Sequence, residues 1–528
     1  MALNSPRRAI HKVLGSVLLC LVLVSCGERP NPLPLRTVPF TDVNPYGVNV
    51  FLDREVEEWK MRRELQMIKD AGIGWVKQEV PWFEIEPERK GEYVDTKFNK
   101  PSWEKYDKRL DLINEFGLQA IVRLDAPPNW TRADNSQPQA PPDNVADFGD
   151  FVYTVVSHLK GKGIRYYQLW NEPNIFLGWG KAPAPAAYVQ LLKAGYTRAK
   201  EADPNAIILS APLAITLEHS PQNESDLDFL KGVYAAGGKS YFDIMSANAY
   251  GLSQPPTDPP DPDRLNFQRV LLERKIMEDS GDAAKPVWFD EFGWNASPAD
   301  MPTDRLKWGR VTEQQQADYT REAIKMARSW PWVGVINIWY FRQDGTRNPP
   351  SDSEYYFRMV NPDFSPTPLY AEIQNETKDL QIALPGDYEE TSPALQPSDD
   401  GKISSNWTLQ LDPKASGGAL LASSKPNATL LITFRGSSIR LRTITGPNAG
   451  IAYVSIDGSS TVPNKLKRNT DGKAFLDLYS AQRLYAQDQP IADGLSYAKH
   501  VLQLTVSGSR NPASQDAFAF VDGFTVGD

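Results

Sequence analysis

The sequence predicts an α/β fold, a (β/α)8 TIM barrel, followed by a smaller all-β sandwich of jelly-roll type. Three observations carry that reading. Between residues 46 and 380, short β-branched or aromatic runs alternate with polar loops and helical stretches, the pattern of repeated βα units. Eight such units fill about the length a barrel needs, and no Gly-rich phosphate fingerprint follows the first run, which disfavours an open nucleotide-binding sheet. After residue 380 helical periodicity stops, and short alternating runs appear between Gly, Pro, Asn and Asp turns. A chain of 528 residues exceeds what one hydrophobic core usually supports, so two domains are expected.

In chain order, the first segment reads as a targeting signal to be set apart from the fold. Arg7, Arg8, His11 and Lys12 precede an apolar run over 13–24 that is too short to span a bilayer comfortably. Leu23-Val24-Ser25-Cys26 resembles the lipobox of bacterial lipoproteins. The resemblance implies a signal peptide over 1–25, a diacylglyceryl group on Cys26, and an extracytoplasmic protein held to a membrane by that lipid. A plain secretory signal with an incidental Cys is the alternative. Cys20, the only other Cys, lies within the removed segment, so the mature chain is expected to form no intrachain disulfide. Residues 26–45 read as a Pro-rich tether.

The barrel is expected over 46–380. Strand cores are read at 47–51, 75–80, 119–124, 166–170, 207–211, 242–249, 287–291 and 333–340. Between them, Trp103, Tyr106, Leu110 and Ile113 recur at helical spacing before Gly117, a natural C-cap. Thr312 and Gln315 have the spacing of a capping box.

Barrel chemistry collects where strands end and βα loops begin. The fourth strand ends Trp170-Asn171-Glu172-Pro173-Asn174 and the seventh ends Asp290-Glu291-Phe292-Gly293-Trp294, so both Glu residues would face the mouth. Breaking a glycosidic bond takes a protonated acid beside the leaving oxygen and a carboxylate below the anomeric carbon. At about 5 to 5.5 Å, the charge on Glu291 would keep Glu172 protonated until a glycosyl-enzyme forms. These two motifs together resemble clan A glycoside hydrolases, most closely family 39, over 46–380. The resemblance implies a retaining O-glycosyl hydrolase with Glu172 as acid/base and Glu291 as nucleophile. It further implies that Asn171 binds the sugar 2-hydroxyl, Tyr250 orients Glu291 and Trp339 floors the minus-one subsite. Asn248 stands where many clan members carry His, which leaves the sugar contact from the sixth strand open.

Aromatic residues expected near the mouth, Trp82, Trp130, Trp179, Trp294 and Tyr340, are candidate sugar platforms, with Trp130 and Trp294 the favoured pair. Glu79, Glu84, Arg123 and Asp125 read as loop or subsite contacts. The expected partner is a poly- or oligosaccharide, in a cleft or a pocket. A net charge of -9 without a basic run argues against nucleic acid. With 4 His, none arranged as His-x-x-x-His, and an Asp399-Asp400-Gly401 run that reads as a turn, no metal or other cofactor is expected. A noncatalytic glycan receptor and a transglycosidase remain alternatives. The module over 381–528, with strands read at 428–434, 438–443, 451–456, 474–479, 500–506 and 517–526, resembles jelly-roll modules of bacterial carbohydrate-active enzymes. It would either bind glycan or buttress the barrel.

Overall fold

The computed structural model describes residues 38–41, 43–390, 392, 394–398 and 406–527. Cys20, Cys26, the signal segment and Asp399-Asp400-Gly401 lie outside the described residues.

Eight parallel strands form the first domain: β1 (Tyr46–Asn49), β2 (Trp75–Glu79), β3 (Gln119–Leu124), β4 (Tyr166–Leu169), β5 (Ile207–Leu209), β6 (Met245–Tyr250), β7 (Val287–Gly293) and β8 (Val333–Ile338). They neighbour one another in the order β5-β4-β3-β2-β1-β8-β7-β6. The β5–β6 seam is joined by the parallel bridge Leu209–Ile244 and by Ser210 N donating to Ile244 O at 3.1 Å. The ring is therefore nearly closed. All eight expected strands are present, but β1, β2, β4, β5 and β8 stop one or two residues earlier than read, where the chain turns out of the ladder into the loops of the mouth. The helix Trp103–Glu115 buries Tyr106, Leu110 and Ile113, and Gly117 follows at φ +70°. Helix Glu313–Arg328 opens with the Thr312/Gln315 capping box, both reciprocal bonds present.

Strand periodicity explains how one end of the barrel becomes a floor and the other a site. Trp75, Ile121, Tyr166, Ile207, Ile244, Trp288 and Val335 form an apolar plug, with the rings of Trp75, Tyr166 and Trp288 packed at 4.9 to 5.2 Å. Phe40 and Val43 pack against that plug, and Trp288 Nε1 donates to Phe40 O at 2.9 Å. The last part of the expected tether thus belongs to the barrel floor. Successive side chains alternate faces, so residues two further along share the inward face. There the chain places Lys77, Arg123, Gln168, Asp290 and Asn337. An apolar floor thus lies beneath a charged layer, whose groups sit in a surrounding of low dielectric.

The second domain is a sandwich. Its strands are β9 (Gly386–Glu389), β10 (Leu395–Ser398), β11 (Thr408–Leu411), β12 (Ala419–Ser423), β13 (Thr429–Gly436), β14 (Ser438–Thr445), β15 (Ile451–Ile456), β16 (Lys467–Arg468), β17 (Ala474–Asp477), β18 (Leu484–Ala492), β19 (Ala498–Val506) and β20 (Ala519–Gly527). One antiparallel sheet runs β11-β12-β20-β14-β18 with β9 also on β20; the other runs β10-β13-β19-β15-β17-β16. Leu421, Leu441 and Phe524 from the first sheet meet Ile432, Leu502 and Val454 from the second in one core. Arg165, buried just before β4 at the floor end, donates to Gly418 O at 3.1 Å. The sandwich contact is therefore remote from the mouth.

Candidate active site

Glu172 is held by an unusual stretch of backbone. Trp170 and Glu172 both take left-handed φ values, +78° and +46°, a conformation that costs non-glycine residues energy and persists only where surroundings enforce it. The enforcement is visible. Trp170 is buried and its Nε1 donates to Gly178 O at 2.9 Å; Glu172 N donates to Pro212 O at 3.0 Å. A Cβ on Gly178 would lie 2.2 Å from Glu172 O, so only glycine lets the short helix Phe176–Trp179 back up against the loop. Gln168 donates from Nε2 to Trp170 O at 2.9 Å and to Asn171 Oδ1 at 3.3 Å, which turns the N–H groups of Asn171 away from it.

Glu291 is aimed by a bulge. Across β6 and β7 the pairing steps from Ala247–Phe289 to Asn248–Glu291, and across β8 from Ile336–Phe289 to Ile338–Phe292. Asp290 is thus the extra residue, and two consecutive acidic side chains become buried instead of alternating faces. Asp290 forms a buried ion pair with Lys77, whose Nζ also lies 3.8 Å from Glu291 Oε1. Asn49 Nδ2 donates to Asp290 O at 3.0 Å.

One strand grips both carboxyls. Asn248 and Tyr250, two apart on the inner face of β6, donate respectively to Glu172 Oε1 at 2.8 Å and to Glu291 Oε2 at 2.7 Å. Burial and then the Glu291 charge push the Glu172 carboxyl up to about 8, while Arg123, Lys77 and the Asn248 amide pull the other way. Burial first, and then Glu291, push the Tyr250 phenol well above its ordinary value, so it stays a donor. Glu172 and Glu291 thus lie close enough for their charges to act on each other and have different partners: an amide on the first, a phenol and an ammonium beside the second.

The remaining candidates divide. Trp339 is half-buried in an apolar cluster with Tyr250, Tyr340, Phe357, Phe51, Leu252 and Trp308. Trp130 is half-buried, edge-on to Trp82, with its Nε1 donating to Glu86 O at 2.8 Å. Trp294 is corrected: its ring is packed among Phe267, Phe292 and Tyr319 and its Nε1 donates to Gln254 O at 2.7 Å. A Cβ on Gly251 would lie 1.9 Å from that ring. Trp294 therefore buttresses the end of β6 rather than offering a face to sugar. Trp82, Trp179 and Tyr340 are likewise buried core. Glu84 is turned to Tyr106 and Lys105, whereas Arg123 lies between Asp125 at 2.6 Å and Glu79 at 3.9 Å in the polar layer. Sequence reasoning missed Lys77, Gln168, Phe51 and Trp308. For Lys77 a signal existed, a charge at the inward position of the run Trp75-Val76-Lys77. Among the described residues no group of three or more His, Cys, Asp or Glu is arranged to hold a metal ion.

No family model matches the chain. A curated protein, the chloroplastic β-glucosidase-like SFR2 of Oryza sativa subsp. japonica, is 27% identical over 116 residues, a match covering 22% of this chain and 18% of that protein's length. Among solved structures, the chain is similar to a family 39 glycoside hydrolase from Bacteroides cellulosilyticus WH2, at 18% identity and TM-score 0.47, covering 87% of this chain and 81% of the other. It is also similar to the GH39 enzyme of Xanthomonas axonopodis pv. citri, at 13% identity and TM-score 0.48, with coverages of 89% and 95%. A glucosidase from Croceicoccus marinus matches at 12% identity and TM-score 0.47, with coverages of 89% and 97%.

Proposed function

We propose that the protein is a retaining glycoside hydrolase acting on a poly- or oligosaccharide, with Glu172 as acid/base and Glu291 as nucleophile. The observation that carries the reading is the pair of carboxyls gripped by Asn248 and Tyr250 of one strand. The acid must be neutral before reaction, and burial together with the Glu291 charge keeps Glu172 so up to about pH 8. The nucleophile must be an anion with nothing between it and the anomeric carbon. Glu291 is buried, with a phenol O–H on one oxygen and the Lys77 ammonium near the other, an environment suited to direct attack rather than to activating a water.

In the first step Glu172 gives its proton to the leaving oxygen while Glu291 attacks the anomeric carbon, so the glycosidic C–O bond breaks as the ester C–O bond forms. Once Glu291 is esterified its charge is gone, the Glu172 carboxylate has lost its repulsive neighbour, and it takes a proton from the water that cleaves the ester. Asn171, with N–H groups turned away from Gln168, is suited to a sugar hydroxyl, and Trp339 to the floor of the sugar site. A lipid on Cys26 would hold this activity to a membrane surface outside the cytoplasm.

The test is intact-protein mass after incubation with 2-deoxy-2-fluoro glycosides bearing good leaving groups, each with a different sugar. A gain of one sugar on the Glu291 peptide, absent in Glu291→Gln, is the expected result and also identifies the minus-one sugar. Polysaccharide that is bound but never shortened, with no label from any glycoside, would replace the enzyme reading with a glycan receptor.

A further inference from the structure

Asn248 does more than line the site. It is buried on β6, its Nδ2 donates to Glu172 Oε1 at 2.8 Å, and its own Oδ1 finds no donor among the described residues. A carboxyl that acts as an acid must carry its proton on the oxygen that faces the leaving group. An amide N–H can only donate, and the C=O oxygen of a neutral carboxyl accepts better than its O–H oxygen, so the contact favours the proton on the other oxygen. We propose that Asn248 is a positioning residue that favours the proton of neutral Glu172 on Oε2 rather than Oε1. The inference rests on the acid/base role proposed for Glu172.

One feature gives it force: the amide does not titrate. The charged and titratable groups that act on Glu172 are Glu291 of β7, Arg123 of β3, Lys77 of β2 and, through its phenol, Tyr250 of β6. Asn248 adds to them a fixed donor that favours the ionised carboxylate at every pH. This offsets part of the upward push and leaves Glu172 able to act as a base in the second step.

The experiment uses the full chain and two variants, Asn248→Ala and the isosteric Asn248→Asp, which retains side-chain volume where alanine leaves a cavity. The 13C titration of the Glu172 carboxyl, identified by its loss in Glu172→Gln, needs no substrate. It should move up by about one unit in Asn248→Asp, where a carboxylate replaces the donor. In whichever variant folds, kcat/KM for glycosides with poor leaving groups should fall about tenfold or more. That for dinitrophenyl glycosides, which need little acid assistance, should change little. An unmoved Glu172 titration, or an equal loss for good and poor leaving groups, overturns the proposal. A wild-type chain that no fluoroglycoside labels takes down the proposed function instead, and the titration still decides the Asn248 contact.

Discussion

At the scale of single residues the site is an arrangement of charges whose neighbours determine their states. If Glu172 is the acid, as proposed, it must be protonated to act, and kcat/KM should hold below about pH 8 and fall as pH rises through it. A pH–rate profile on a poor-leaving-group glycoside measures this, and an alkaline limb near the ordinary carboxylate range would contradict it. Lys77 supports the opposite side. Lys77→Met leaves Asp290 buried without its cation and should cost about 3 to 5 kcal/mol of stability, read by denaturant unfolding. Adding Asp290→Asn should recover much of that loss while leaving Glu291 without its nearby ammonium, so stability and activity separate in the double variant. Glu172 and Glu291 were legible in the sequence because each stands in a short run of specific neighbours at a strand end. Lys77 and Gln168 were not, because a single polar residue inside an apolar run does not say which face it occupies until the register of the whole barrel is known. Trp294, three residues after Glu291, misled for the same reason: just past the end of β7 its ring turns into the wall.

At the scale of elements, irregularities aim the chemistry. The bulge at Asp290 lets two adjacent carboxyls enter the barrel, and the left-handed residues of the Trp170-Asn171-Glu172 turn carry the Glu172 carboxyl away from the end of β4. Gly178 is where that turn is braced, so Gly178→Ala forces a methyl into the Glu172 carbonyl. The expected outcome is a loss of kcat of about a hundredfold, with the fold intact by circular dichroism, because a displacement on the order of 1 Å at a catalytic group suffices for that. Periodicity made the eight barrel strands and the capped helices readable, but a bulge leaves no mark on hydrophobic pattern. In the sandwich, strands β13, β14, β15, β17, β19 and β20 were read from alternation. Strand β18 escaped because it is an edge strand whose first residues, Leu484 to Gln489, alternate between exposed and half-buried and which contains Pro490, tolerated only where one side of the ladder is free. Strands β9 to β12 and β16 were missed for a related reason, being short and in several cases polar.

At the scale of the whole molecule, the barrel has an apolar end and an end that holds the carboxyl pair, and the sandwich meets the apolar one. Beside the Arg165–Gly418 contact, Ser416 Oγ and Arg442 Nη1 both donate to Glu389 Oε1, at 2.8 and 3.1 Å. Asp522 of β20 is buried next to this group. Burial above all, with help from Glu389 and Asp412, pushes its carboxyl up to about 6 against the pull of Ser416 and Arg442. The folded value lies above the unfolded one, so the stability this group contributes is complete below about pH 4 and is lost as pH rises to about 6. Asp522→Asn removes the ionisation without changing the shape. Above pH 6 it should therefore be more stable than wild type by at most about 3 kcal/mol, and near pH 4 the difference should vanish. Melting temperatures of both proteins across pH 4 to 8 test this. Turnover of a small aryl glycoside should stay unchanged in Asp522→Asn, because the group lies at the floor end and the carboxyl pair at the mouth. A change in turnover would mean that the joint between the domains reaches the catalytic loops, and that the sandwich does more than support the barrel from below.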